Sequence, residues 1–366
     1  MDTNGFSQAR KRIIILTNAA SKFNCTGQIS LPVISQTTKA IMSKAKKKWC
    51  LRKRFWLLTI MALIFVLGRM EFAKMRYDID TLTQAVISKG QKKPAFKQKK
   101  INTRTLNYLQ IGDDSSLPLV VLVHGSPGSL SAYEDYFSDT SFTRGINLIA
   151  IDRLGFGYSD FGKSELSLAV QANLLAEVLK DFPGSKKILV GHSMGGPVIA
   201  KTAIEYPELT DGLVMVAPSV SPGLEPSNTW RLVLNFPLIR WLIPPALNVC
   251  NQEIIPLKEE LEKMMAGWEG ITIPVTVIQG EEDDIVPAGN APFVKEMVIN
   301  SPSVQVKMVT GGNHFILWSE ISLVQESIME VVHFAKSMLG IYPSGCKCPF
   351  PEPRFTIFEP RSQLCG

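Results

Sequence analysis

A serine between two glycines, in Gly191-His192-Ser193-Met194-Gly195, is the strongest candidate for chemistry in this 366-residue chain. The apolar run Lys187-Ile188-Leu189-Val190 before it reads as a short buried strand, and Gly196 to Ala203 after it reads as a helix. Such a strand–turn–helix forces the serine into a strained backbone conformation, and flanking glycines let strand and helix approach without Cβ clashes. The turn exposes the Ser193 hydroxyl at the carboxyl edge of a sheet. The helix start then offers backbone N–H groups to a developing oxyanion.

A serine hydroxyl needs a base to take its proton and a third group to orient that base. The chain has four histidines. His124 ends an apolar strand, His192 is part of the serine turn and is read as pointing away from Ser193, and His333 lies in a late helical stretch. His314 follows the strand-like Val304 to Val309 and the turn Thr310-Gly311-Gly312-Asn313, so it sits in a loop at a strand's end. The acid is expected in Glu281-Glu282-Asp283-Asp284, the exit of the buried strand Pro274 to Gly280. Four adjacent carboxylates ordinarily form a solvated turn. Asp283, three residues past Gly280, is assigned the inward role, with Asp284 as the alternative. The other strand exit that could supply an acid, Pro218 to Ser221, carries no carboxylate.

Taken together, these segments resemble the α/β-hydrolase superfamily, whose order of nucleophile, acid and base is that of Ser193, Asp283 and His314. His124-Gly125-Ser126-Pro127-Gly128 is similar to the superfamily's H-G-x-P-G loop. The resemblance implies an oxyanion hole made by the N–H groups of Ser126 and Met194. Asp152-Arg153-Leu154-Gly155-Phe156-Gly157-Tyr158-Ser159 resembles the D-x-x-G-x-G-x-S turn, in which Asp152 would be structural. Haloalkane dehalogenases and epoxide hydrolases carry an aspartate at the nucleophile position, where this chain has Ser193. The implied activity is hydrolysis of a carboxylic ester through an acyl-enzyme, without metal or organic cofactor. Amidase or iminopeptidase, thioesterase, C–C hydrolase and cofactor-free haloperoxidase chemistry use the same groups. A receptor that binds a ligand without turnover is the remaining alternative.

The elements that must position these residues alternate along the chain. Strand-length apolar runs fall near 106–111, 118–123, 146–151, 187–191, 212–217, 274–279 and 304–309, with helical patterns at 167–182, 195–205, 291–299 and 320–339. The expected fold is a mostly parallel sheet with helices on both faces, the α/β-hydrolase fold, over residues 105–340. Residues 219–273 interrupt the alternation and read as a small helical lid. Its Trp230, Phe236 and Trp241 are expected either to pack the lid onto the sheet or to wall an apolar pocket above Ser193.

The N-terminal part has a different character. Residues 1–54 hold twelve Lys and Arg and one acid, and read as a disordered basic segment. Residues 55–68 are uncharged and apolar, shorter than the roughly 20 residues of a comfortable span. With a basic cluster before them and no cleavage site after, they read as a signal anchor with a cytoplasmic N-terminus and an exported catalytic domain. A secreted protein with the signal removed is the alternative. Residues 69–104 read as a solvated linker, so a chain lacking residues 1–88 is expected to fold. From residue 105 on the net charge is −12, so the chain's overall +6 marks membrane flanks rather than a nucleic-acid surface. The tail 341–366 carries Cys346, Cys348 and Cys365, which could pair in an exported protein or stay as thiols. No cysteine spacing resembles a zinc site.

Overall fold

Alternation of strands and helices produces one eight-stranded sheet in the computed structural model, which describes residues 36–67, 74–226 and 229–338. In chain order the elements begin with α1 (Gln36–Leu67), α2 (Ile79–Ser88), β1 (Ala95–Ile101), β2 (Arg104–Ile111), β3 (Leu119–Val123), α3 (Glu134–Ser138) and β4 (Asn147–Asp152). Then come α4 (Leu168–Leu179), β5 (Lys187–His192), α5 (Gly195–Glu205), β6 (Gly212–Val216), α6 (Arg231–Leu234), α7 (Pro237–Leu242), α8 (Pro245–Ile254) and α9 (Leu257–Met264). The last are β7 (Val275–Gly280), α10 (Asn290–Met297), β8 (Val304–Val309), α11 (Ile316–Ser319) and α12 (Ile321–Ser337).

The strand order is β1-β2-β4-β3-β5-β6-β7-β8, with β2 antiparallel to both neighbours and every later pairing parallel. Val123 stands opposite Gly191, His192 opposite Val216 and Gly280 opposite Val309. The loops after β3, β5, β7 and β8 therefore leave the sheet along one edge.

Side chains alternate between the two faces, and each face has its own core. Leu119, Val121 and Val123 join a cluster with α4, α5, α9 and α10, whereas Val120 and Leu122 join one with α2, α3 and α12. Burial of both faces is why these strands read as continuous apolar runs. This is the α/β-hydrolase fold.

Three sequence expectations need correction. Residues 36–54 were expected to be disordered, but they are helical as part of α1; residues 1–35 lie outside the described residues. The stretch taken as linker contains α2 and β1. Leu82 and Val86 of α2 are fully buried in the second core, and β1 pairs along its length with β2. Lys97 and Lys100 point to water from the open edge of the sheet, so the strand carries the charge density of a linker. In the lid, α6 and α7 bury none of their side chains. Trp230, Phe236 and Trp241 are 58%, 68% and 57% exposed, so they do not pack the lid onto the sheet. The lid is seated instead by α8 and α9, through Ala246, Val249, Leu257, Leu261 and Met264.

The chain divides between Ile64 and Phe65 into two compact units. Among the described residues no helix is long and apolar enough to cross a membrane. An 18-residue stretch ending at Leu67 already takes in Arg52, Lys53 and Arg54. Gly68 and the tail 341–366 lie outside the described residues.

A chain beginning at Lys74 is expected to fold. One beginning at Lys89 loses α2 and uncovers the site of Leu82 and Val86, at a cost of about 3–6 kcal/mol. Thermal melts followed by circular dichroism should show the shorter chain melting far lower, and equal midpoints would mean that α2 is not part of the core.

Candidate active site

Ser193 is the residue at which β5 turns into α5. Its φ is +52°, in the left-handed region that costs a residue with a Cβ about 1–2 kcal/mol. Two hydrogen bonds impose it: Ser193 N–H donates to Val216 O at 3.0 Å, and Gly196 N–H to Ser193 O at 2.9 Å. A Cβ on Gly195 would come within 2.2 Å of Val123 O, so only glycine lets α5 start this close to β3. A Cβ on Gly125 would stand 2.9 Å from Ser193 Cβ, so the loop after β3 runs directly over the serine.

Across the edge, His314 Nδ1 lies 2.8 Å from Asp283 Oδ2. An ionised carboxylate only accepts, so the proton is assigned to Nδ1 and the lone pair to Nε2. Asp283 is buried while Glu281, Glu282 and Asp284 are exposed. Its Oδ1 accepts the N–H groups of Ile285 and Val286 at 3.0 and 2.7 Å, and its Oδ2 also accepts Gln279 Nε2 at 3.0 Å. Burial pushes the carboxyl up, but the bonds from His314, Val286 and Ile285 outweigh it and hold Asp283 below its ordinary range.

The backbone of His314 is fixed as firmly as its ring. His192 Nε2 lies 3.2 Å from His314 O, and the two rings are 5.0 Å apart. Burial, with the like-charged His314 next, drives His192 down to about 4, so it is neutral and donates that bond. Tyr136 O–H donates to Leu317 O at 2.6 Å and Trp318 Nε1 to Ala132 O at 2.9 Å, pinning α11 just beyond His314.

Behind the serine, Asp152 is buried and accepts the N–H groups of Leu130 and Tyr158, each at 2.7 Å; burial raises its carboxyl to about 7. The next residue, Arg153, makes a two-pronged ion pair with Glu253 of α8, at 2.8 and 3.0 Å. Arg153 also donates to the carbonyls of His124 and Gly125.

The sequence nominates Ser193, Asp283, His314, Ser126 and Met194, and the fold places all five at one sheet edge. The spacing assigns no role to His192, Gln279, Arg153 or Glu253. Asp283 and Gln279 are four residues apart and follow from the strand exit once the acid is known. Arg153 and Glu253 are 100 residues apart and leave no spacing signal. Among the described residues no group of three or more His, Cys, Asp or Glu is placed to hold a metal ion.

Residues 118–242 match the family model for the alpha/beta hydrolase fold. Human monoglyceride lipase is 24% identical over 251 residues, 59% of this chain and 80% of that protein. An uncharacterised protein of Mycobacterium tuberculosis (strain ATCC 25618 / H37Rv) is 23% identical over 244 residues, 54% of this chain and 70% of that one. Among solved structures, the Lip1 protein of Acinetobacter baumannii AYE superposes with a TM-score of 0.56 at 18% identity, covering 72% of this chain and 98% of that one. The fold of the chain is that of the α/β-hydrolases, and residues 118–242 carry the match to that family's model.

His192 yields a pH prediction. Its folded pKa of about 4 lies below the ordinary 6.5, so between these values the unfolded chain binds a proton that the folded one refuses. The stability it supplies is complete above about pH 6.5 and is lost on acidification toward pH 4, at up to about 1.4 kcal/mol per unit. Urea unfolding of wild type and His192→Gln should show a stability difference that shrinks as pH falls. Taking the difference cancels the opposite slope from Asp152, and a constant difference would contradict a neutral buried His192.

Proposed function

We propose that this chain is a serine hydrolase that cleaves carboxylic esters through an acyl-enzyme. The observation that carries the reading is the 2.8 Å bond from His314 Nδ1 to a buried Asp283, at the sheet edge where Ser193 is held at φ +52°. His314 Nε2 takes the Ser193 proton as the hydroxyl oxygen attacks the acyl carbon. Asp283 keeps the imidazole in the tautomer that leaves Nε2 free and stabilises the imidazolium that forms. The N–H groups of Ser126 and Met194 receive the developing oxyanion. The imidazolium returns its proton to the departing alcohol, and water repeats the sequence to release the acid. An ester is the substrate because an alkoxide leaves more easily than an amide anion. The similarity to monoglyceride lipase supports an acyl ester of small-molecule size.

Attachment to a membrane through residues 55–68 belongs to the same proposal, with the N-terminus cytoplasmic and the hydrolase exported. Phe55, Trp56, Leu57, Leu58, Ile60, Leu63 and Ile64 lie on α1 with exposed side chains behind a basic cluster, which suits a lipid environment. The full chain should stay with membranes through alkaline carbonate extraction, and a chain beginning at Lys74 should not. Release of the full chain by carbonate would remove the anchor from the proposal.

Ser193→Ala should abolish fluorophosphonate labelling and cut turnover of a p-nitrophenyl ester by about 10⁴- to 10⁶-fold while the protein still folds. Asp283→Asn should cost about 10⁴-fold through the wrong imidazole tautomer. Glu282→Gln and Asp284→Asn should leave turnover unchanged and stability within about 0.5 kcal/mol. Near-normal turnover in Ser193→Ala would end the proposal, and a larger loss at Asp284 than at Asp283 would move the acid by one residue.

A further inference from the structure

We propose that Arg153 and Glu253 are a positioning pair that aims the Ser126 N–H at the reacting carbonyl and ties that aim to lid helix α8. The inference rests on the reading of Ser126 as an oxyanion donor. The Gly125 carbonyl and the Ser126 N–H belong to one planar trans peptide and point in opposite directions. Whatever fixes the carbonyl fixes the N–H.

Two donors fix it. His124 Nδ1 lies 2.7 Å from Gly125 O, and Arg153 Nη2 donates to the same oxygen at 3.2 Å. His124 Nε2 accepts the Arg153 backbone N–H at 2.9 Å, which assigns the ring proton to Nδ1. Burial, with Arg153 next, drives the imidazole pKa well below its ordinary value, so His124 keeps this neutral form. Arg153 Nε donates to His124 O at 2.9 Å, so the preceding peptide is held as well. The guanidinium completes its set with Gln171 Oε1 at 2.9 Å and the two oxygens of Glu253 at 3.0 and 2.8 Å. A guanidinium has five N–H donors, and all five are used.

The side chains are 3% and 1% exposed. A buried ion pair loses so much solvation that well-packed apolar residues often serve stability as well or better. Its distinct contribution here is geometric: a planar fork held by a carboxylate on one side orients two peptides on the other. Phe156 fills the space behind, with its ring 5.6 Å from that of His124 and packed on Val249 and Cys250 of α8. A shift of α8 would therefore move Glu253, release the fork and turn the Ser126 N–H away from its aim.

The test uses the full chain with Glu253→Gln and Arg153→Lys. Glutamine keeps the shape but presents an NH₂ to one guanidinium prong. Lysine keeps the charge but lacks the fork. Active sites are titrated with a fluorophosphonate so that kcat is counted per working serine. For a p-nitrophenyl ester, kcat per site should fall about 10- to 100-fold with KM nearly unchanged. Affinity for an alkyl boronic acid, which forms a tetrahedral adduct on the serine, should fall by a similar factor. A variant with wild-type kcat per site and only a lower melting temperature would overturn the proposal and leave the pair a structural one. If Arg153→Lys does not fold, Glu253→Gln decides alone. Absence of Ser193 labelling in the wild type would instead sink the underlying hydrolase reading, and that result is visible before any variant is made.

Discussion

Ser193 sits in a backbone conformation that its own Cβ disfavours, and the architecture around it is what makes that conformation stable. β6 supplies the carbonyl of Val216, α5 supplies the N–H of Gly196, and β3 passes so close that Gly195 can carry no side chain. The Gly196 bond is local to the turn, but the contacts with β6 and β3 are not. They require β3, β5 and β6 to lie side by side and parallel, which in turn requires helices on both faces to bury strands that are apolar throughout.

The same edge brings together the loops that leave two neighbouring strands. The loop after β7 turns one carboxylate inward by giving it two backbone donors and a glutamine, and the loop after β8 meets it with an imidazole. The histidine is gripped from behind by His192, whose neutrality keeps two imidazolium charges from being forced together. Three loops that differ in sequence thus hold one another at hydrogen-bonding distances.

Much of this was legible in the sequence because the chemistry is local. Ser193 declares itself through its glycines, and the helices at 168–179, 195–205, 290–297 and 321–337 fall close to where their periodicity puts them. Spacing from Gly280 favoured Asp283 over Asp284, and what turns Asp283 inward is the set of donors from Gln279, Ile285 and Val286. β1 was hidden because a strand at a sheet's edge can carry exposed lysines on both of its faces, and the two-period pattern then fades into a charge run. The lid tryptophans misled for a simpler reason: large apolar side chains are often left exposed, and hydrophobicity alone does not tell which are. Arg153 and Glu253 are invisible in principle, since only the fold brings residues 100 apart into contact.

β1 has one more consequence. It is the outermost strand of an open sheet, and an outermost strand offers unpaired backbone groups to any other extended chain that comes near. Lys97 and Lys100 stand on it facing water, and Lys99 bridges back to Asp181. Two molecules meeting rim to rim would bring these ammonium groups together and have to strip their water. The positive charge that disguised the strand in the sequence thus discourages intermolecular sheet growth there and helps the protein withstand crowding.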